Sequence, residues 1–95
     1  SLVFDDRDLV SAAAYSPAGD VLYLVTQGAE TLEAYDAVNG ALLGGIPGVG
    51  RAPDGVAVGA DGRVFVFASN SREIIAYDAV SRGTLAEVWR VALTD

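Results

Sequence analysis

The chain has 95 residues, of which 52% are hydrophobic and 20% charged, with a formal net charge of -7. This length holds one small domain, and the composition is that of a globular protein rather than a disordered one. Cysteine and histidine are both absent, which excludes disulfides, thiol catalysis and histidine-based metal or acid–base sites within the chain. The acidic balance argues against a nucleic-acid partner, and no apolar run approaches the ~18 residues of a membrane span.

Eight short strands are predicted in chain order, in two groups of four, because β-branched and aromatic residues crowd the apolar runs. The first group lies near 11–16, 21–27, 32–37 and 41–46, and the second near 55–59, 63–69, 73–79 and 84–89. Turn residues separate the strands, including Gly19 and Gly62. The dipeptide Asn39-Gly40 is typical of a type I′ hairpin turn.

The two groups are copies of one repeat. The segment 21–27 matches 64–70 in character at every position, and the tetrapeptide 35–38 recurs identically at 77–80. The spacing of ~42 to 43 residues lies in the range of a propeller blade.

The duplicated pair of Tyr35 with Asp36, and of Tyr77 with Asp78, indicates a structural role, because a catalytic site is needed only once. We expect each aspartate to accept backbone N–H bonds at the turn into the outer strand. We expect each tyrosine to pack on the adjacent blade.

The second strand of each copy is apolar on both faces. Val21 and Tyr23 point one way while Leu22 and Leu24 point the other, so both faces need a covering layer. A propeller blade is packed between two neighbours. The predicted fold class is therefore all-β, with two four-stranded antiparallel β-propeller blades in a single segment over residues 1–95. Blade one spans about 11–46 and blade two about 55–89.

The second copy also resembles a known repeat family. The segments 53–58 (PDGVAV), 60–66 (ADGRVFV) and 75–78 (IAYD) are similar to the YVTN/NHL-type propeller repeat, and more distantly to the SMP-30/gluconolactonase propellers. The YVTN resemblance implies an exported location, periplasmic or extracellular. In the SMP-30 family, carboxylates and an asparagine at the channel rim hold a divalent metal, and here only Asp54 and Asn70 have suitable chemistry.

Two blades cannot close a ring, because a propeller needs ~4 to 8 of them. Three completions are open: self-association into trimers or tetramers, further blades of a longer chain, or head-to-tail stacking into an open array. The partners expected are accordingly copies of the chain itself or other blades. The start at Ser1 rather than methionine favours a longer chain.

The functional expectation is a non-enzymatic propeller module for scaffolding or binding, with no cofactor, no metal site and no catalytic residues. One alternative is a segment of a propeller enzyme, either an SMP-30-like metal-dependent lactonase or the YVTN propeller of a larger redox protein. Another is a self-assembling surface or filament protein. Candidate ligand-binding residues are Arg51, Asp54 and Asn70, at the rim where scaffolded loops bind ligands. Trp89 is either a core anchor or an interface aromatic.

Overall fold

A computed structural model of the chain describes residues 10–26, 30–50, 53–81 and 83–93. Within them lie eight strands: β1 (Val10–Tyr15), β2 (Val21–Thr26), β3 (Thr31–Asp36), β4 (Leu42–Pro47), β5 (Pro53–Val58), β6 (Val64–Ala68), β7 (Glu73–Ser81) and β8 (Thr84–Ala92). None of the described residues belongs to a helix long and apolar enough to cross a membrane.

The strands form two separate antiparallel meanders. Sheet A has the order β1-β2-β3-β4, and sheet B has the order β5-β6-β7-β8. Strands β1 and β2 of sheet A pack against β5, and β4 approaches β8. The all-β fold of two four-stranded blades is thus confirmed, and the largest difference from the predicted strand ends is at β8, which continues to Ala92.

Strand pairing defines which residues of the two sheets are equivalent. Tyr35 pairs with Leu22, and Tyr77, 42 positions later, pairs with Val64. A bulge lies between Ala34 and Tyr35 when β3 meets β4, and the matching bulge lies between Ala76 and Tyr77. The residues that precede β3 and β7 also agree, since Glu30 and Arg72 both have a φ of 54°. The spacing across the central strands is therefore 42 residues.

The sequence alignment of the second strands was wrong by one residue. Matching Val21 to Val64 gives a spacing of 43, whereas the strand ladders match Leu22 to Val64. A one-residue change of register moves every side chain to the opposite face of a sheet. Because both faces are apolar here, residue character did not distinguish the two alignments.

The hydrophobic core lies between the two sheets. From sheet A, the side chains of one face are buried: Val21, Tyr23, Val25, Leu32 and Ala34. From sheet B, the buried face carries Val64, Val66, Ile75 and Tyr77. Val49, in the segment between the sheets, is also fully buried and joins this core.

The predicted turn glycines adopt the left-handed backbone that the turns need. Gly19 has a φ of 76° and Gly62 a φ of 90°, a region that glycine enters without steric cost. The type I′ prediction for Asn39-Gly40 is wrong, because a type I′ turn needs positive φ at both residues and only Gly40 has it, at 76°. Instead, the Asp36 carboxylate accepts hydrogen bonds from the N–H groups of Val38 and Asn39, at 2.8 and 3.1 Å, and stabilises a longer turn.

Candidate functional site

The junction between the sheets includes a close approach of two backbones at the outer strands. A Cβ atom placed on Gly44 of β4 would overlap the carbonyl oxygen of Gly83, in the turn before β8. Gly83 has a φ of 82° and is buried. Glycine at both positions is therefore what lets the β7–β8 turn lie on the outer strand of sheet A.

Arg90 of β8 adds a polar connection across the same junction. Its Nη2 donates to the carbonyl oxygen of Gly48, beyond the end of sheet A, at 2.9 Å. The guanidinium also contacts Glu87 at 2.9 Å and Glu73 at 3.4 Å. The hydrogen bond from Arg90 lowers the pKa of the Glu87 carboxyl.

Tyr77 lies at the centre of the junction and is fully buried. Its hydroxyl has no hydrogen-bond partner in the described part of the chain. Burial is the main reason that the pKa of Tyr77 rises to about 12, and Glu87 and Glu73 raise it further while Arg90 opposes them. The prediction that this tyrosine packs on the adjacent blade is confirmed for Tyr77.

The opposite face of sheet B is apolar and open. We call it the Trp89 face and define it by two rows of paired residues, Ala57, Phe65, Ala76 and Trp89, and Gly55, Phe67, Ile74 and Val91. Exposure is 38% for Trp89, 39% for Phe67 and 48% for Val91. The rings of Phe65 and Trp89 are tilted by 48° with centroids 6.1 Å apart. Of the two roles expected for Trp89, its exposure is consistent with that of an exposed aromatic rather than a core anchor.

The outward face of sheet A is the second open surface. We call it the Tyr35 face, with its rows Tyr15, Leu22, Tyr35 and Leu42, and Ala13, Leu24, Glu33 and Gly45. Tyr15 and Leu42 are 61% and 60% exposed, whereas Leu24 is buried. The Tyr35 hydroxyl donates to Glu33 Oε1 at 3.1 Å, whereas no described residue accepts a hydrogen bond from the Tyr77 hydroxyl.

The duplicated aspartates have different partners. Asp36 accepts the two backbone N–H bonds of its turn, as expected. Asp78, for which the same role was predicted, instead forms an ion pair with Arg63 at 3.0 Å. The reason is the longer hairpin of sheet B, in which β7 continues through Asp78 to Ser81 before the chain turns.

The structure describes two of the three predicted ligand-binding residues, Asp54 and Asn70. Asp54 and Asn70 are both exposed and lie at the same end of sheet B, where Pro53 pairs with Ala68. Asp54 is the extra residue of a bulge between Pro53 and Gly55, and no hydrogen bond joins it to Asn70. Arg51 lies outside the described residues. No group of three or more carboxylates that could hold a metal ion occurs within the described ranges.

Residue character alone does not show which face of each sheet is open, because both faces are apolar. Strand alternation places Phe65 and Phe67 on one face of β6, opposite Val64 and Val66, but an alignment one residue out of register does not distinguish the packed face from the open one. The signal was present in the tetrapeptide at 35–38 and 77–80, whose spacing of 42 residues is the correct one for the central strands.

Comparison with known proteins supports the fold. No protein-family model and no curated protein matches the sequence. Among solved structures, the chain is similar to the crystal structure of the β-propeller domain of Cps50 (Swd1) from Myceliophteria thermophila, with a TM-score of 0.77 and 16% sequence identity. The match covers 90% of this chain and 29% of that domain. At this identity the likeness concerns the fold alone, and it shows that the two sheets are arranged as blades of a β-propeller.

Proposed function

We propose that the chain is a two-blade β-propeller module that binds or scaffolds, and that its activity depends on further blades covering the Trp89 and Tyr35 faces. The observation that supports this proposal is the equivalence of the open and buried faces. Phe65, Phe67 and Ile74 of the Trp89 face correspond to Tyr23, Val25 and Leu32, which sheet A buries against sheet B.

The same equivalence applies to the Tyr35 face. Leu22, Leu24 and Tyr35 correspond to Val64, Val66 and Tyr77, which sheet B buries against sheet A. Exposed apolar patches of this kind mark interaction surfaces in soluble proteins. Each face thus has the composition of a blade-to-blade contact, and no other sheet of the described residues packs on it.

The ion pairs and the exposed carboxylate of Asp54 are more consistent with a binding role than with catalysis. The ion pairs of Arg63 with Asp78 and of Arg90 with Glu73 are partly exposed and link β7 to the start of β6 and to β8, which is a structural use of charge. Asp54, the one carboxylate that the SMP-30 resemblance offers, is exposed and is not hydrogen-bonded to Asn70. The YVTN/NHL resemblance remains a prediction about blade type, as does the exported location that it implies.

The proposal can be tested against the enzymatic alternative directly. The purified chain is assayed for hydrolysis of simple lactones with added Ca²⁺, Mn²⁺ or Zn²⁺, beside Asp54→Ala and the matched surface variant Asp61→Ala. We expect no metal-dependent hydrolysis by any of the three. Metal-dependent turnover that Asp54→Ala abolishes and Asp61→Ala retains would overturn the non-enzymatic proposal.

A further inference from the structure

We infer that the Trp89 face of one copy docks on the Tyr35 face of a second copy, head to tail, repeating the contact between sheets A and B. This inference rests on the proposed function and names the partner that covers the open faces. The inference depends on three features of the described residues: the equivalence of the faces, the outer-strand contact and a hollow beside the β3–β4 hairpin.

The first feature is that the two open faces are equivalent to the two faces that already pack together between sheets A and B. Sheet A packs through one face on sheet B, and the Trp89 face of sheet B is the equivalent of that packing face. The face that receives sheet A is equivalent to the Tyr35 face. A second copy therefore presents to the Trp89 face the kind of surface that sheet B presents to sheet A.

The second feature is that the outer strands β4 and β8 carry side chains of different size at equivalent positions. Where sheet A has Gly44, sheet B has Trp89, because Gly44 pairs with Ala34 and Trp89 with Ala76. Inside the chain, Gly44 accommodates the β7–β8 turn at Gly83. The side chain of Trp89 removes that space, so the blade docking here needs a shorter hairpin.

Sheet A has that shorter hairpin. Between Tyr35 and its partner Leu42 lie 6 residues, and between Tyr77 and its partner Glu87 lie 9. The turn that would meet Trp89 of a neighbouring copy is thus three residues shorter than the turn that meets Gly44. A large side chain on one surface is matched by a shortened hairpin on the other.

The third feature is a hollow on the Tyr35 face beside this hairpin. It has a volume of about 90 Å³ and is lined by Tyr15, Leu22 and residues 36–40. Val38 at its edge is 89% exposed. An aromatic side chain from a second copy would find apolar walls in Tyr15 and Leu22.

The contact joins two different surfaces, so it is heterologous. An open assembly of copies therefore has an unused Trp89 face at one end and an unused Tyr35 face at the other. Rings of three or four copies would close with six or eight blades, within the range of ~4 to 8 known for propellers. An open array uses the same contact. The inference therefore predicts complementation between two variants, which a symmetric dimer does not.

The test uses sedimentation velocity on the purified chain and three variants. Trp89→Glu places a charge on the Trp89 face, Leu42→Glu places one on the Tyr35 face, and Ala18→Glu adds the same charge in the exposed β1–β2 turn as a control. We expect the parent and Ala18→Glu to associate and each face variant alone to be monomeric. Mixed in equal amounts, the two face variants should form a one-to-one dimer, since each retains the surface that the other has lost.

Several outcomes would overturn the inference. One is a parent chain that stays monomeric, with Trp89 in water, up to millimolar concentration. Others are a face variant that associates as the parent does, and a mixture that forms no dimer. Phe67→Glu, which changes a side chain that is 39% exposed, replaces Trp89→Glu if circular dichroism shows that the latter has lost its strands. The lactone assay is independent of these results, so failure of self-docking and failure of the binding role are distinguishable.

Discussion

Tyr77 and Tyr35 occupy equivalent positions in sheets B and A, yet their surroundings differ. Tyr77 is fully buried and its hydroxyl has no hydrogen-bond partner among the described residues, whereas Tyr35 is half-buried and donates to Glu33. The position equivalent to Glu33 in sheet B is Ile75, which is also fully buried. The difference shows that the same tyrosine is a core residue where a neighbouring sheet is present and a surface residue where it is not.

The largest expected effect separates these two tyrosines. Removing a large buried aromatic side chain leaves a cavity, so Tyr77→Ala should lower the free energy of unfolding by about 3–5 kcal/mol. Tyr35→Ala, measured by urea denaturation at the same dilute concentration, should cost no more than about 1 kcal/mol, because its side chain is partly solvated and its hydrogen bond is near the surface. Equal losses for the two variants would contradict the difference in their environments.

The outer-strand contact gives the next largest effect. In Gly44→Ala the new methyl group meets the backbone of Gly83, which cannot move aside as a side chain would, and overpacking of this kind costs about 1–3 kcal/mol. Gly55→Ala is the matched control, because its Cβ would find only the Cβ of Phe67, at 3.5 Å. Thermal melts should show a lower midpoint for Gly44→Ala alone. A Gly44→Ala chain as stable as Gly55→Ala would show that the backbones are not in contact.

Alkaline pH should also distinguish the buried tyrosine. The pKa of Tyr77 is raised from 10.0 to about 12, so the folded state holds its proton more tightly than the unfolded state does. The stability from this group is complete below pH 10 and is lost as pH rises towards 12. Tyr77→Phe should remove part of that loss, whereas Tyr15→Phe, at a residue that is 61% exposed, should not. Parallel curves of stability against pH for the parent and Tyr77→Phe would exclude this linkage.

The smallest effect compares the duplicated aspartates. Asp36→Ala removes the acceptor of two backbone N–H bonds and should cost on the order of 1 kcal/mol. Asp78→Ala removes an ion pair with Arg63 whose side chains are 52% and 35% exposed, and exposed pairs contribute about 0 to 1 kcal/mol. Urea denaturation should therefore rank Asp36→Ala as the more destabilising change. The reverse order would show that Asp78 has a further structural role.

The sequence was sufficient to predict the two four-stranded blades, because the strand lengths, turn glycines and repeat are local or periodic properties. It was not sufficient to show which of the two faces of a strand points into the core, since Leu22 and Tyr23 are both apolar. The Asp78 prediction failed because β7 continues through Asp78 to Ser81 whereas β3 ends at Asp36, and the identical tetrapeptides do not show this difference in hairpin length. The ligand-binding prediction for Asp54 and Asn70 remains untested, since it depends on loops of blades that complete the ring.

The measurement that tests the central claim most directly is the fluorescence of Trp89, the only tryptophan in the chain, as the chain is concentrated. If the Trp89 face is a blade-to-blade surface, the emission should shift to shorter wavelength and quenching by iodide should decrease with increasing concentration. The same titration of the Leu42→Glu variant, which lacks an intact Tyr35 face, should show neither change. An emission maximum and a quenching constant that stay the same over the whole concentration range of the parent chain would contradict the account.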